Sequence, residues 1–140
     1  MIQRWLLYAI LSALAAAFVG IFGKIGMKNV DSTLATAVRS AVMTLFLLAA
    51  AIVLVKREEL KRLHPTALSM IVLSGVAGAT SWLFYFKAIQ LGKVSQVAPI
   101  DKLSMPLAVL LAVVILGEKP TPLNWLGMLL IATGAYLAAR

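Results

Sequence analysis

Cysteine is missing from the 140-residue chain altogether. That absence removes a disulfide framework, a thiolate metal site and a cysteine nucleophile together, and it leaves the redox compartment unreadable. Charge is scarce as well: Asp, Glu, Lys and Arg make up 13% of the residues, near half the ~25% of soluble domains. Acids are the rarest, 5 against 13 Lys and Arg. No Gly-rich loop leads into Lys-Ser or Lys-Thr, so the chain has no phosphate cradle for hydrolysing ATP. Its single histidine, His64, sits in a basic loop beside Pro65, where solvation is its ordinary state. No cluster of metal ligands and no acid pair is spelled out, so neither an enzyme nor a cofactor is expected.

What the chain has in abundance is apolar sequence, 62% of its residues with a mean hydropathy of +0.99. So few charges cannot cover a water-soluble surface, which leaves lipid to cover it. The expected fold is an all-α integral membrane protein, one domain over residues 1–140, with five transmembrane helices in one compact bundle. The spans are Trp5–Gly23, Thr33–Val55, Ala67–Phe86, Val94–Leu116 and Leu123–Ala139. Each approaches the length that crosses ~30 Å of hydrocarbon at 1.5 Å per residue, the last being the shortest. No run alternates polar with apolar as a membrane barrel requires. Arg4 followed by an apolar stretch with Ala15–Ala17 imitates a cleavable signal, but the run outlasts a usual signal core without a polar flank and is taken as a retained span.

The breaks carry matching punctuation. Asp31 and Ser32 can cap the second helix, Pro65 suits the first turn of the third, and Thr121 between Pro120 and Pro122 can cap the last. Basic residues lie between the apolar runs, where they meet headgroups, so nucleic acid is not an expected partner. Arg4, Lys56, Arg57, Lys61, Arg62 and Lys119 fall on the side of the N-terminus, against Lys24, Lys28, Lys93 and Arg140 on the other. The slight excess puts the N-terminus in the cytoplasm, in an inner or plasma membrane, and leaves dual insertion open.

Charges inside spans are the informative ones, because even a lenient insertion scale sets ~2.5–3.5 kcal/mol against each near the bilayer centre. Arg39 lies about 9 Å into its run and Lys102 about 12 Å into another. Asp101 is too short to snorkel. On a regular helix Asp101 and Lys102 point ~100° apart, so each is expected to seek a partner elsewhere, Asp101 with Arg39 being the pair to test. Pro99 and Pro106 free backbone groups on either side, so the fourth helix is expected to bend or break near Asp101. A broken helix beside a midplane charge is a recurring layout of transporter binding sites. Trp82, Tyr85 and Phe86 share one helical face, either an interfacial belt with Lys87 or a cavity wall.

Small residues recur at close-approach spacing: Ser12, Ala16 and Gly20; Gly75 and Ala79; Gly127, Gly134 and Ala138. They suggest packing faces, and Gly20, Gly23 and Gly26 around Lys24 suggest a hinge. Glu118, beside Lys119 at a helix end, is expected to anchor its loop.

Four strings taken in order, Phe22-Gly23-Lys24-Ile25-Gly26, Tyr85-Phe86-Lys87-Ala88, Val97-Ala98-Pro99-Ile100-Asp101-Lys102-Leu103-Ser104 and Leu116-Gly117-Glu118-Lys119, resemble the EamA family of the drug/metabolite transporter superfamily, in its five-helix single-domain bacterial and archaeal branch. The resemblance covers nearly the whole chain. It implies small-solute transport, commonly export, by a unit that larger relatives carry twice in inverted orientation. A lone copy supplies half a path, so a homodimer is expected, antiparallel if both insertions occur and parallel otherwise. The small multidrug resistance branch carries an acid in its first helix, whereas the first acid here is Asp31, beyond that helix.

Taken together, these features predict a transporter of small metabolites working by alternating access. Arg39, Trp82, Tyr85, Asp101 and Lys102 are the substrate-binding candidates. Asp101, Pro99, Pro106 and Lys24 are the coupling or gating candidates, Asp101 first because burial raises a carboxyl pKa while a nearby cation lowers it. Arg39 and Lys102 against Asp101 leave a net-basic pocket, suited to amino acids or organic anions. The rival readings are a non-transporting assembly subunit and a lipid-carrier translocase.

Overall fold

A computed structural model describes residues 4–60 and 63–140, without the side chains of Arg57 and Leu60; Lys61 and Arg62, counted above in the basic connection, lie outside the described residues. Among the described residues the secondary structure is helical, without a strand. The helices are α1 (Arg4–Gly26), α2 (Ser32–Leu54), the short α3 (Arg57–Leu60), α4 (Pro65–Leu91), α5 (Val94–Asp101), α6 (Ser104–Leu111) and α7 (Pro122–Ala138), with a π-helical turn (Ala112–Leu116) continuing α6.

Among the described residues, four stretches are long and apolar enough to cross a membrane: α1, α2, α4 and the Val94–Leu116 segment. The protein is a multi-pass membrane protein. The fifth expected span, α7, has 17 residues, about 25 Å at the helical rise and short of a full ~30 Å crossing.

The helix ends follow their expected chemistry. Asp31 is extended (φ −60°, ψ 138°), and its carboxylate accepts the N–H groups of Thr33 and Leu34 at 2.8 and 3.1 Å. Those are orphan donors of the first turn of α2. Pro65 opens α4, and Thr121 caps α7 by accepting the Asn124 N–H at 3.3 Å.

The Val94–Leu116 segment breaks where the prolines predict. Pro106 has no N–H for the Lys102 carbonyl, which the Met105 N–H takes instead at 3.0 Å. Lys102 and Leu103 donate to the carbonyls of Pro99 and Ile100, three residues back. The chain tightens into turns there, and α5 and α6 become separate helices. The π-helical turn closes on Gly117 at φ +68°, and the Glu118 N–H returns to the Ala112 carbonyl at 3.2 Å. Glu118 thus joins the helix end through its backbone.

The chain forms two compact units: Gly23–Gln90, and the residues up to Phe22 with Leu91–Arg140. In the first, the buried residues are Met27, Ser32, Thr36, Phe86 and Ile89. These come from the turn after α1, the start of α2 and the end of α4. In the second, Gly20 and Ala135 are buried, and the Gln96 amide donates to the Ala139 carbonyl at 3.3 Å, tying α5 to the end of α7.

Gly20, Gly23 and Gly26, expected as a hinge, lie in continuous helix, and Gly23 is the seat of the Phe86 ring. Of the small-residue positions expected to pack, Gly20 is buried, while a Cβ at Gly75, Gly127 or Gly134 would meet nothing within 4 Å.

Candidate functional site

The Gly23–Gln90 unit holds one cation against an aromatic wall. Trp82 and Phe86 stand one turn apart on α4, which puts both rings on one face, and their centroids are 5.6 Å apart. Tyr85 meets both edge-on, at 5.6 and 5.8 Å. From α2, two turns beyond the Asp31 cap, the Arg39 guanidinium lies 3.7 Å over the Trp82 ring and 5.3 Å from that of Phe86. A half-buried cation–π contact of this kind contributes about 1–2 kcal/mol, which opposes the cost of a charge in a span.

That contact engages the face of the guanidinium. Its in-plane donors remain, and Arg39 Nη1 is shielded from solvent with no hydrogen-bond partner among the described residues. An unsatisfied buried donor costs about 1–3 kcal/mol, and more when charged. Such a group is poised for an oxyanion, and the planar fork of arginine suits a carboxylate.

The wall is fixed from behind. Phe86 is 2% exposed, and a Cβ on Gly23 would overlap its ring. Ile89, wholly buried, lies one turn nearer the end of α4. Thr36, one turn before Arg39 on α2, is buried, and its hydroxyl donates to the Ser32 carbonyl at 2.7 Å.

Lys24 lies at the edge of this packed end. Its ammonium donates to the carbonyls of Ile89 and, at 3.5 Å, Gln90, the last turn of α4, where a cation complements the helix dipole. The Gln90 amide donates to the Val30 carbonyl at 2.9 Å, and Lys87 Nζ donates to Gln90 Oε1 at 3.4 Å. Asp31, outside the spans, has its carboxyl held below the usual carboxylate range, first by the Leu34 N–H, then by that of Thr33, with a smaller contribution from the Lys87 charge.

In the other unit Asp101 and Lys102 pair with each other, at 3.2 Å, with side chains 32% and 49% exposed. The ~100° separation of neighbours belongs to an unbroken helix, and the helix ends between these two residues. The same unit has a cleft of about 330 Å³ lined by Val109, Glu118, Lys119, Pro120, Thr121 and Asn124.

Of the candidates named from sequence, Arg39, Trp82 and Tyr85 therefore belong to one cluster and Asp101, Lys102, Pro99 and Pro106 to another, while Lys24 caps α4. Phe86 and Gly23 were not singled out as site residues. The spacing of Phe86 from Trp82 was a signal for the first; the second became recognisable only through the ring it receives.

A family model described as the EamA-like transporter family matches residues 3–140. The chain belongs to the EamA-like transporter family. It is 37% identical over 139 residues, 99% of each chain, to a Sinorhizobium sp. protein named "Uncharacterized transporter in cobO 3'region". No solved structure matches it. The resemblance read from the four strings is thus the family itself, and the protein is a membrane transporter.

Proposed function

We propose that this EamA-like protein exports small organic anions or amino acids as a homodimer, by alternating access. The observation that carries the reading is Arg39: a guanidinium within a span, held flat on Trp82, with an in-plane nitrogen hidden from water and lacking an acceptor among the described residues. A solute carboxylate supplies the acceptor and offsets a charge that hydrocarbon disfavours. Trp82 and Tyr85 flank the solute. Asp101 is the coupling carboxylate and Lys102 its counter-ion, at a break between Pro99 and Pro106 where the backbone can rearrange without losing regular helix.

In this reading α7 makes the fifth crossing, with Arg140 stacked on Tyr136 at 4.7 Å as a headgroup anchor. The unfilled small-residue positions at Gly75, Gly127 and Gly134 favour a second copy. The membrane is the inner or plasma membrane, with the N-terminus cytoplasmic in accord with the excess of bases on that side.

The test is flux in proteoliposomes, with and without a proton gradient, across a panel of amino acids, organic anions and organic cations. Carboxylate-bearing solutes should move and cations should not. Arg39→Lys keeps charge but loses the fork, and should slow flux roughly tenfold or more, the effect of losing one charge-assisted hydrogen bond. Asp101→Asn should abolish gradient-driven flux while sparing insertion. Undiminished transport by Asp101→Asn removes that residue from the mechanism, and a panel in which no carboxylate moves removes the reading.

A further inference from the structure

Lys24 and Gln90 have a role that the anion site alone does not require. The buried residues of the Gly23–Gln90 unit lie toward one end, where Ser32 is 2%, Thr36 4% and Ile89 0% exposed. Away from that end the same helices are open: residues 41–49 of α2 and 69–77 of α4 are all exposed. Within this unit the helices are sealed at one end and unsealed beyond, with Arg39 just inside the seal.

The seal is made with polar ties between chain segments far apart in sequence. The Lys24 ammonium reaches the carbonyls of Ile89 and Gln90, and the Gln90 amide reaches the Val30 carbonyl. Both ties use backbone carbonyls as acceptors, so each can break and re-form without unfolding a helix. The carbonyls of the last turn of α4 are among those that a helix leaves without internal donors, and they attract a cation whenever one is within reach. Lys24 has a long flexible stem, unlike the rigid packing of Phe86 on Gly23 immediately beside it.

We propose that Lys24 and Gln90 form a gate: a latch that closes the approach to Arg39 from the membrane face bearing the turn between α1 and α2, and that releases when the transporter changes state. The gate rests on the transport reading above, but it is tested without any solute. The latched state closes that end of the Gly23–Gln90 unit.

The absence of native cysteine makes the test direct. Single variants Thr36→Cys, behind the latch, and Asn29→Cys, in the exposed turn, are reacted with a membrane-impermeant maleimide in vesicles that expose the Asn29 face. In the otherwise unaltered chain Thr36→Cys should react far more slowly than Asn29→Cys. Adding Lys24→Met should raise its rate roughly tenfold, the change that losing one charge-assisted hydrogen bond makes to an opening equilibrium. Lys24→Arg, which keeps a cationic donor, should stay near the parent. Gln90→Ala, which leaves Lys24 on α4, should give a smaller rise. Thr36→Cys as reactive as Asn29→Cys in the parent overturns the gate, whether or not the Lys24 variants accumulate. So does an unchanged rate in both Lys24→Met and Gln90→Ala. Neither result bears on solute flux through Arg39, and a failed flux assay leaves the labelling result standing.

Discussion

Gly23 and Gly26 stand three residues apart on α1, and replacing each with alanine should shift stability in opposite directions. At Gly26 a new Cβ meets nothing within 4 Å, so Gly26→Ala changes only backbone freedom. Removing that freedom stabilises a helix by up to about 1 kcal/mol, less at a terminus. At Gly23 the Cβ overlaps the Phe86 ring. That ring has little room to retreat, being 2% exposed and flanked by Trp82 and Tyr85 with Arg39 5.3 Å away. Overpacking of this kind costs about 1–3 kcal/mol, against ~1 kcal/mol of helix propensity, and leaves Gly23→Ala destabilising by up to about 2 kcal/mol. Thermal unfolding in one detergent, with the two variants beside the parent, reads the difference. Displacing Phe86 also disturbs the guanidinium above Trp82, so Gly23→Ala should weaken solute binding where Gly26→Ala does not. A Gly23→Ala protein as stable as Gly26→Ala refutes the close seat of Phe86.

Three further outcomes follow. Because the folded Asp31 carboxyl is held below its ordinary range, its cap is at full strength above the unfolded carboxyl's pKa of about 3.9 and is lost as pH falls through the lower folded value. Protection of the Thr33 and Leu34 amides, their exchange measured against the intrinsic rate at each pH, should therefore fall below that window in the parent, and an equal response in Asp31→Asn would discard the cap as its cause. Gly117→Ala should destabilise the end of the π-helical turn by about 1–2 kcal/mol, because φ is +68° although the space is open; an unchanged unfolding midpoint would show that the turn relaxes freely. Lys102→Met should leave Asp101 without its partner at 3.2 Å and slow gradient-driven flux, and undiminished flux would make that ion pair a bystander.

Four of the five expected spans, and the helix starts, were legible because the signals are local. Asp31, Pro65 and Thr121 act through neighbours within one turn, and the break near Asp101 follows from what Pro106 withholds from Lys102. The pairing of Asp101 with Lys102 was misjudged because the angle between neighbours presumes an unbroken helix. Three features needed the fold itself. Arg39 on Trp82 depends on how α2 faces α4; Gly23 beneath Phe86 and Lys24 on the Ile89 carbonyl join segments more than sixty residues apart, with no periodicity to announce them. The glycines beside Lys24 were visible, but nothing in the letters says which of them receives a ring. The length of α7 was the shortest of the expected spans, and it stays short of a full crossing in the structure.

Trp82 itself is the most direct witness to the central claim, that the free edge of Arg39 receives a solute oxyanion. The chain has 3 tryptophans, so Trp5→Phe with Trp125→Phe leaves Trp82 as the sole indole, under a guanidinium 3.7 Å away. Titrating this protein with carboxylate-bearing solutes should give a saturable change in its emission that organic cations do not produce and that Arg39→Gln removes. Emission indifferent to every carboxylate, or a response that survives in Arg39→Gln, would contradict the account.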